Sequence, residues 1–122
     1  MLVKLTNQPM DYAWGSPNLI SDYFGVEPTG KPMAEIWFGT HDGSPTQVKD
    51  LDASLQDLRV ARGMPDRLPF LLKILAAAAP LSIQAHPNPA QAKEGFAKEN
   101  AAGIAITDSK RNYKDDKAKP EM

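Results

Sequence analysis

The chain contains no cysteine. That excludes a disulfide framework and a thiolate metal site, and leaves histidine, carboxylate and amide oxygen as side-chain donors for a cation. No stretch reaches the roughly 18 consecutive apolar residues of a membrane span. The opening MLVKLTNQPMDY lacks the apolar run of a signal peptide, so a cytoplasmic location without a membrane partner is expected. An excess of charge is missing as well. Fourteen basic residues stand against fifteen acidic ones, a formal net charge of −1, so no face-wide attraction to nucleic acid is expected. Histidine occurs twice, as His41 and His86, and no internal repeat is present.

What the chain does have is an ordinary globular composition, 42% hydrophobic and 24% charged over 122 residues, consistent with a single domain. Eleven prolines and eight glycines cut it into short pieces, which favours short strands and turns. Leu2 to Leu5 and the aromatic MDYAWG ending at Gly15 are predicted strands. Ser16-Pro17 resembles a helix start that Gly25 would stop. MAEIWFGTH, Met33 to His41, has the aromatic and β-branched content of a strand and is followed by the turn formers HDGSPT. Ser54 is placed to cap a short helix carrying Leu55, Leu58 and Val60 and ending near Gly63. In the highly charged ending DSKRNYKDDKAKPEM nothing local predicts order.

LPFLLKILAAAAPLSIQAHP is the most apolar stretch, and its periodicity fits a buried helix or two buried strands. Pro69 and Pro80 bracket strand-length pieces, so two strands joined near Ala78 to Pro80 are preferred. Beyond it, Asn88 as N-cap, Pro89 at the first helical position and Gln91 three residues after the cap predict a helix to about Ala102, closed by Gly103. If Leu81 to His86 is a strand, alternation puts Ser82, Gln84 and His86 on one face and Leu81, Ile83 and Ala85 on the other. The polar face then either looks at water or lines a pocket in which an amide oxygen and an imidazole converge on an ion. Lys73, a lone cation in an apolar strand, either has a partner or an aqueous cavity, or snorkels outward. Trp14 and Trp37 are core or pocket-wall residues. Glu35 and His41 either reach the same cavity or sit on the surface.

LPFLLKIL, PLSIQAHPNPAQAKEGFAKENAAGI and RNYKDDKAKPEM, with DYAWGS and AEIWFGTH before them, closely resemble the type I, zinc-dependent phosphomannose isomerases over essentially the whole chain. The resemblance implies a mainly β fold with short helices, the amino-terminal half of a cupin-like jelly-roll barrel, incomplete. Residues 1–87 would form its β portion and residues 88–122 a helix and charged loop. It implies zinc as cofactor, with Gln84, His86 and Glu121 as three of the four family ligands and no counterpart of the fourth, a second histidine, among these residues. It places Lys73 and Lys119 as active-site lysines and Ser82 near the substrate phosphate; Trp14, as a pocket wall, is expected to bind the substrate. The implied reaction is interconversion of mannose 6-phosphate and fructose 6-phosphate through an enediol-like species, in which a Lewis acid carrying only one carboxylate ligand stabilises negative charge on the sugar oxygens.

The sequence departs from the family pattern at Lys117 and Ala118, where asparagine and histidine would precede Lys119-Pro120-Glu121. Family members are also several times longer. A truncated form with little or no turnover by itself is therefore expected, with strand edges open to self-association. The alternative is a non-catalytic sugar- or metal-binding cupin module.

Overall fold

The structure, a computed structural model, describes residues 2–119. Chain contacts divide it into two compact units, Met1–Leu81 and Ser82–Met122.

The first unit holds two small antiparallel sheets and two short helices. In order these are β1 (Leu5–Thr6), α1 (Leu19–Phe24), β2 (Glu35–Phe38), β3 (Gln47–Val48), α2 (Leu55–Ala61) and β4 (Leu72–Leu75). β1 pairs with β3, and β2 pairs with β4. The second pairing sets Glu35 opposite Leu75, Ile36 opposite Ile74, Trp37 opposite Lys73 and Phe38 opposite Leu72. Alternation along a strand then separates two faces. Ile36, Ile74 and Phe38 turn to the apolar cluster of Ile20, Met33 and Ala76. Glu35, Trp37 and Lys73 occupy the other face.

The segment from Met10 to Ser16 closes over this sheet through main-chain bonds. The Met10 amide donates to Glu35 O (2.7 Å), the Ser16 amide to Ala76 O (2.7 Å), and the Ala78 amide to Trp14 O (2.8 Å). Gly15 is required here by close approach. A Cβ at this position would lie 2.5 Å from the Ala34 nitrogen and 2.6 Å from its Cα, and Ala34 is completely buried. MDYAWG is thus held by isolated bridges at Met10 and Gly15, since its path crosses strand ends and does not run along a strand.

The local helix signals correspond closely to what forms. Ser54 caps α2 in a reciprocal box with Asp57, and Gly25 ends α1 with a left-handed φ of 64°. α1 starts at Leu19, later than Ser16-Pro17 predicts, yet the Ser16 hydroxyl still accepts from the Leu19 amide at 3.2 Å.

The second unit holds α3 (Pro89–Ala101), with Asn88 and Gln91 forming the expected capping box. The predicted strand over Leu81 to His86 is not formed: the stretch has neither helical nor strand structure. A strand needs a neighbour for its amides and carbonyls, and among the described residues no paired strand involves this stretch. Its apolar side chains also lack cover, Ile83 being fully exposed. For the same reason the expectation of a mainly β chain is corrected. Helical residues outnumber strand residues among those described, and both sheets are two-stranded and open.

Gly15→Ala is expected to cost about 1–3 kcal/mol through overpacking against Ala34. A lowered urea midpoint at unchanged slope would bear this out; an unchanged midpoint would show that the two backbones can separate freely.

Candidate active site

Within the first unit, the β2–β4 register gathers a polar cluster on the sheet face away from the core. The Trp37 indole Nε1 donates to Glu35 Oε2 at 2.5 Å. Lys73 Nζ stands 4.0 Å from the same oxygen and 4.9 Å from the Trp37 ring centroid. Glu35 is largely buried, whereas about a third of the Lys73 side chain is exposed (33%). A partly exposed pair at this separation adds at most about 1 kcal/mol of stability. Its consequence is geometric: the cation is directed by a carboxylate on one side and an aromatic face on the other. Lys73 therefore has the partner that a cation in an apolar strand needs.

Two aromatic contacts extend the cluster. His41, which is exposed, packs edge-on against Trp37 with ring centroids 5.0 Å apart, and its Nδ1 accepts from the Gly43 amide at 3.0 Å. Trp14 is half-buried and stacks on Tyr12 at 5.8 Å. Burial first, then the negative charges of Glu35 and Asp11, push the Tyr12 phenol above its ordinary value. A chain of neighbours thus connects Trp14 through Tyr12 to Glu35 and Lys73.

The remaining candidates belong to the second unit. Ser82, Gln84 and His86 are exposed and lie just before the Asn88 cap of α3. Without a strand, their alternation onto one face is not imposed by a ladder. Lys119 pairs with Asp115 at 2.9 Å. Burial raises the Asp115 carboxyl, but hydrogen bonds from Lys119 and the Lys117 amide, with both lysine charges, outweigh it and hold the group below the ordinary aspartate value. Asp115 also accepts from the Lys117 amide at 3.0 Å, so the turn at Lys117 and Ala118 is held by a carboxylate upstream. Glu121 lies outside the described residues.

Among the described residues no three histidine, cysteine, aspartate or glutamate side chains are gathered as for a metal. The donor chemistry nevertheless suits zinc: a neutral amide oxygen in Gln84, an imidazole in His86 and, in sequence, a carboxylate in Glu121. The parts that sequence reasoning did not assign are the Glu35–Trp37 bond and the Tyr12–Trp14 stack. Glu35 and Trp37 stand two apart in a strand, but their meeting with Lys73 depends on a register that no local pattern encodes.

Comparison with known proteins gives a consistent result. A family model described as phosphomannose isomerase type I, catalytic domain, matches residues 2–122. The mannose-6-phosphate isomerase of Escherichia coli (strain K12) is 43% identical, over 98% of this chain and 34% of its own length. Mannose-6-phosphate isomerase 1 of Arabidopsis thaliana is 38% identical, over 99% of this chain and 31% of its own. The crystal structure of mannose 6-phosphate isomerase from Salmonella typhimurium bound to its substrate, fructose 6-phosphate, and zinc superposes with a TM-score of 0.80 at 40% identity, covering 96% of this chain and 33% of that one. The chain spans about a third of the length of these relatives.

A phenol whose folded pKa is raised contributes stability that is complete below the ordinary tyrosine value, about 10, and is lost as pH rises through the raised value. Glu35→Gln is therefore expected to lower the Tyr12 titration without returning it to the ordinary value, because burial remains. Ultraviolet absorbance titration of the variant checks this; an unmoved titration would show that Glu35 exerts no field at Tyr12.

Proposed function

The chain belongs to the type I phosphomannose isomerase family, and on that premise we propose that it is the metal- and substrate-binding segment of a zinc-dependent aldose–ketose isomerase acting on mannose 6-phosphate and fructose 6-phosphate. The observation that carries this reading is the match of nearly the whole chain to relatives of that activity, including one solved with fructose 6-phosphate and zinc. In the same reading, the open sheets are part of a cupin-like barrel, with residues 1–87 as its β portion and 88–122 as helix and charged loop. The partner is a small sugar phosphate in the cytoplasm, and an unpaired strand edge is available to a second copy.

Gln84, His86 and Glu121 would hold the zinc. When bound, zinc supplies a Lewis acid that stabilises negative charge on neighbouring sugar oxygens while a proton moves between adjacent carbons. Lys73 presents a directed ammonium to a developing oxyanion, with Glu35 and Trp37 fixing where it points. Ser82 donates its hydroxyl to a phosphate oxygen, and Trp14 offers an aromatic wall to the sugar. Lys119 adds positive charge once an anionic substrate competes with Asp115 for it.

The donor set within these residues is one ligand short of the four that the resemblance implies, and His41 is engaged with Trp37 and Gly43. Zinc binding that is weak but specific is expected, with little turnover. Competition with a chromophoric chelator should show His86→Ala and Gln84→Ala each weakening zinc by about 10-fold or more, since loss of a ligand's supporting partner already costs about that much. Equal affinity in the His86→Ala chain would remove the metal assignment. Family-like conversion of mannose 6-phosphate by the zinc-saturated chain would defeat the expectation of low turnover.

A further inference from the structure

Among the described residues, the most completely enclosed charge in the second unit has no part in the mechanism above. The Arg111 side chain is fully buried (0% exposed), in a stretch whose sequence suggests a solvated tail. Its guanidinium donates to Tyr113 O (2.6 Å), Ile104 O (2.6 Å) and Asn100 Oδ1 (2.7 Å). It pairs with Glu99 at 3.1 Å and lies 5.0 Å from the Phe96 ring centroid. Glu99 in turn accepts from the amides of Asn112 (3.1 Å) and Tyr113 (2.8 Å). The Tyr113 amide bond leads the causes that hold the Glu99 carboxyl below its ordinary value.

These contacts describe a reversal. Gly103, with a φ of 69°, ends the helix, and the chain turns through Asp108. It then comes back along α3: Arg111 is anchored at Asn100, the Tyr113 amide at Glu99, and the Tyr113 ring at Gly95. Gly95 is a seat cut for that ring, because a Cβ there would overlap it. The sequence of anchors runs from the last turn of α3 toward its middle. Gln84 and His86 precede the opposite, amino-terminal end of this helix.

We propose that Arg111 and Gly95 are positioning residues for the metal centre, setting the returning course of the 114–119 run that carries Lys119 and leads in sequence to Glu121. α3 acts as a spacer of fixed length, with two donors before its first residue and the route to the third fastened to its side. This rests on the metal reading of Gln84, His86 and Glu121, but the fastening is testable without metal.

Because the chain has no native cysteine, nitroxide labels can be placed at Ala90→Cys and Lys117→Cys and their separation measured by pulsed electron resonance on the full chain. The parent should give a single narrow distribution. Gly95→Ala, which displaces the ring, and Arg111→Lys, which keeps the charge but not the fork, should each broaden it, and should weaken zinc about 10-fold. Circular dichroism establishes that α3 persists. If Arg111→Lys loses the helix, Gly95→Ala carries the test, since it removes no polar group of Arg111 or its partners. Folded variants with the parent's distribution, or with zinc affinity unchanged while His86→Ala loses zinc, would overturn the proposal. Broadened distributions in a chain whose zinc affinity is insensitive to His86→Ala would instead sustain the fastening and sink the metal reading.

Discussion

Backbone pairing between β2 and β4 is the constraint on which the first unit depends. Four facing residue pairs decide at once which side chains enter the core and which stand on the outer face. A slip of one residue would turn over one strand of the pair, exchanging Ile36 for Trp37 if β2 moved or Ile74 for Lys73 if β4 moved. It would bury an indole N–H or a cation in place of an isoleucine. The register is therefore protected by an energetic penalty on both faces. The close approach of Gly15 to Ala34 fastens a third segment across the same sheet.

That dependence on a partner explains which expectations held. Elements closed by local chemistry were legible: the Ser54–Asp57 and Asn88–Gln91 boxes, the left-handed Gly25 and the helix closed before Gly103 each need only residues within a few positions. Strand boundaries were less so. Leu81 to His86 has the alternation of a strand and does not become one, because alternation states a preference and a ladder needs a second chain segment. β3, two residues long, offers no pattern to detect.

The site divides along the same line. Residue identities came from motif resemblance, and the donor types could be rationalised from coordination chemistry. The contacts that orient Lys73 could not be read, since Glu35 and Trp37 meet it only through the pairing of two strands far apart in the chain. Arg111 was hidden for a different reason. Set among lysines and aspartates it resembles solvated charge, and only the tertiary fold reveals a guanidinium satisfied by two carbonyls, an amide oxygen and a carboxylate. A buried charge so completely matched is costly to disturb on either side, because removing one partner leaves the other uncompensated.

The capping box of α3 bears on the residues just before it as well. His86 is followed by Pro87, the cap Asn88 and then Pro89. A residue before proline is pushed toward extended backbone, and each proline ring freezes its own φ. The main chain that carries the imidazole is thus stiffened even though no sheet supports it, and part of the entropy that ordering it would otherwise consume has been surrendered already on folding. Gln84, further from the prolines, keeps more backbone freedom, so of the two proposed zinc ligands the histidine is the one whose main chain costs less to fix.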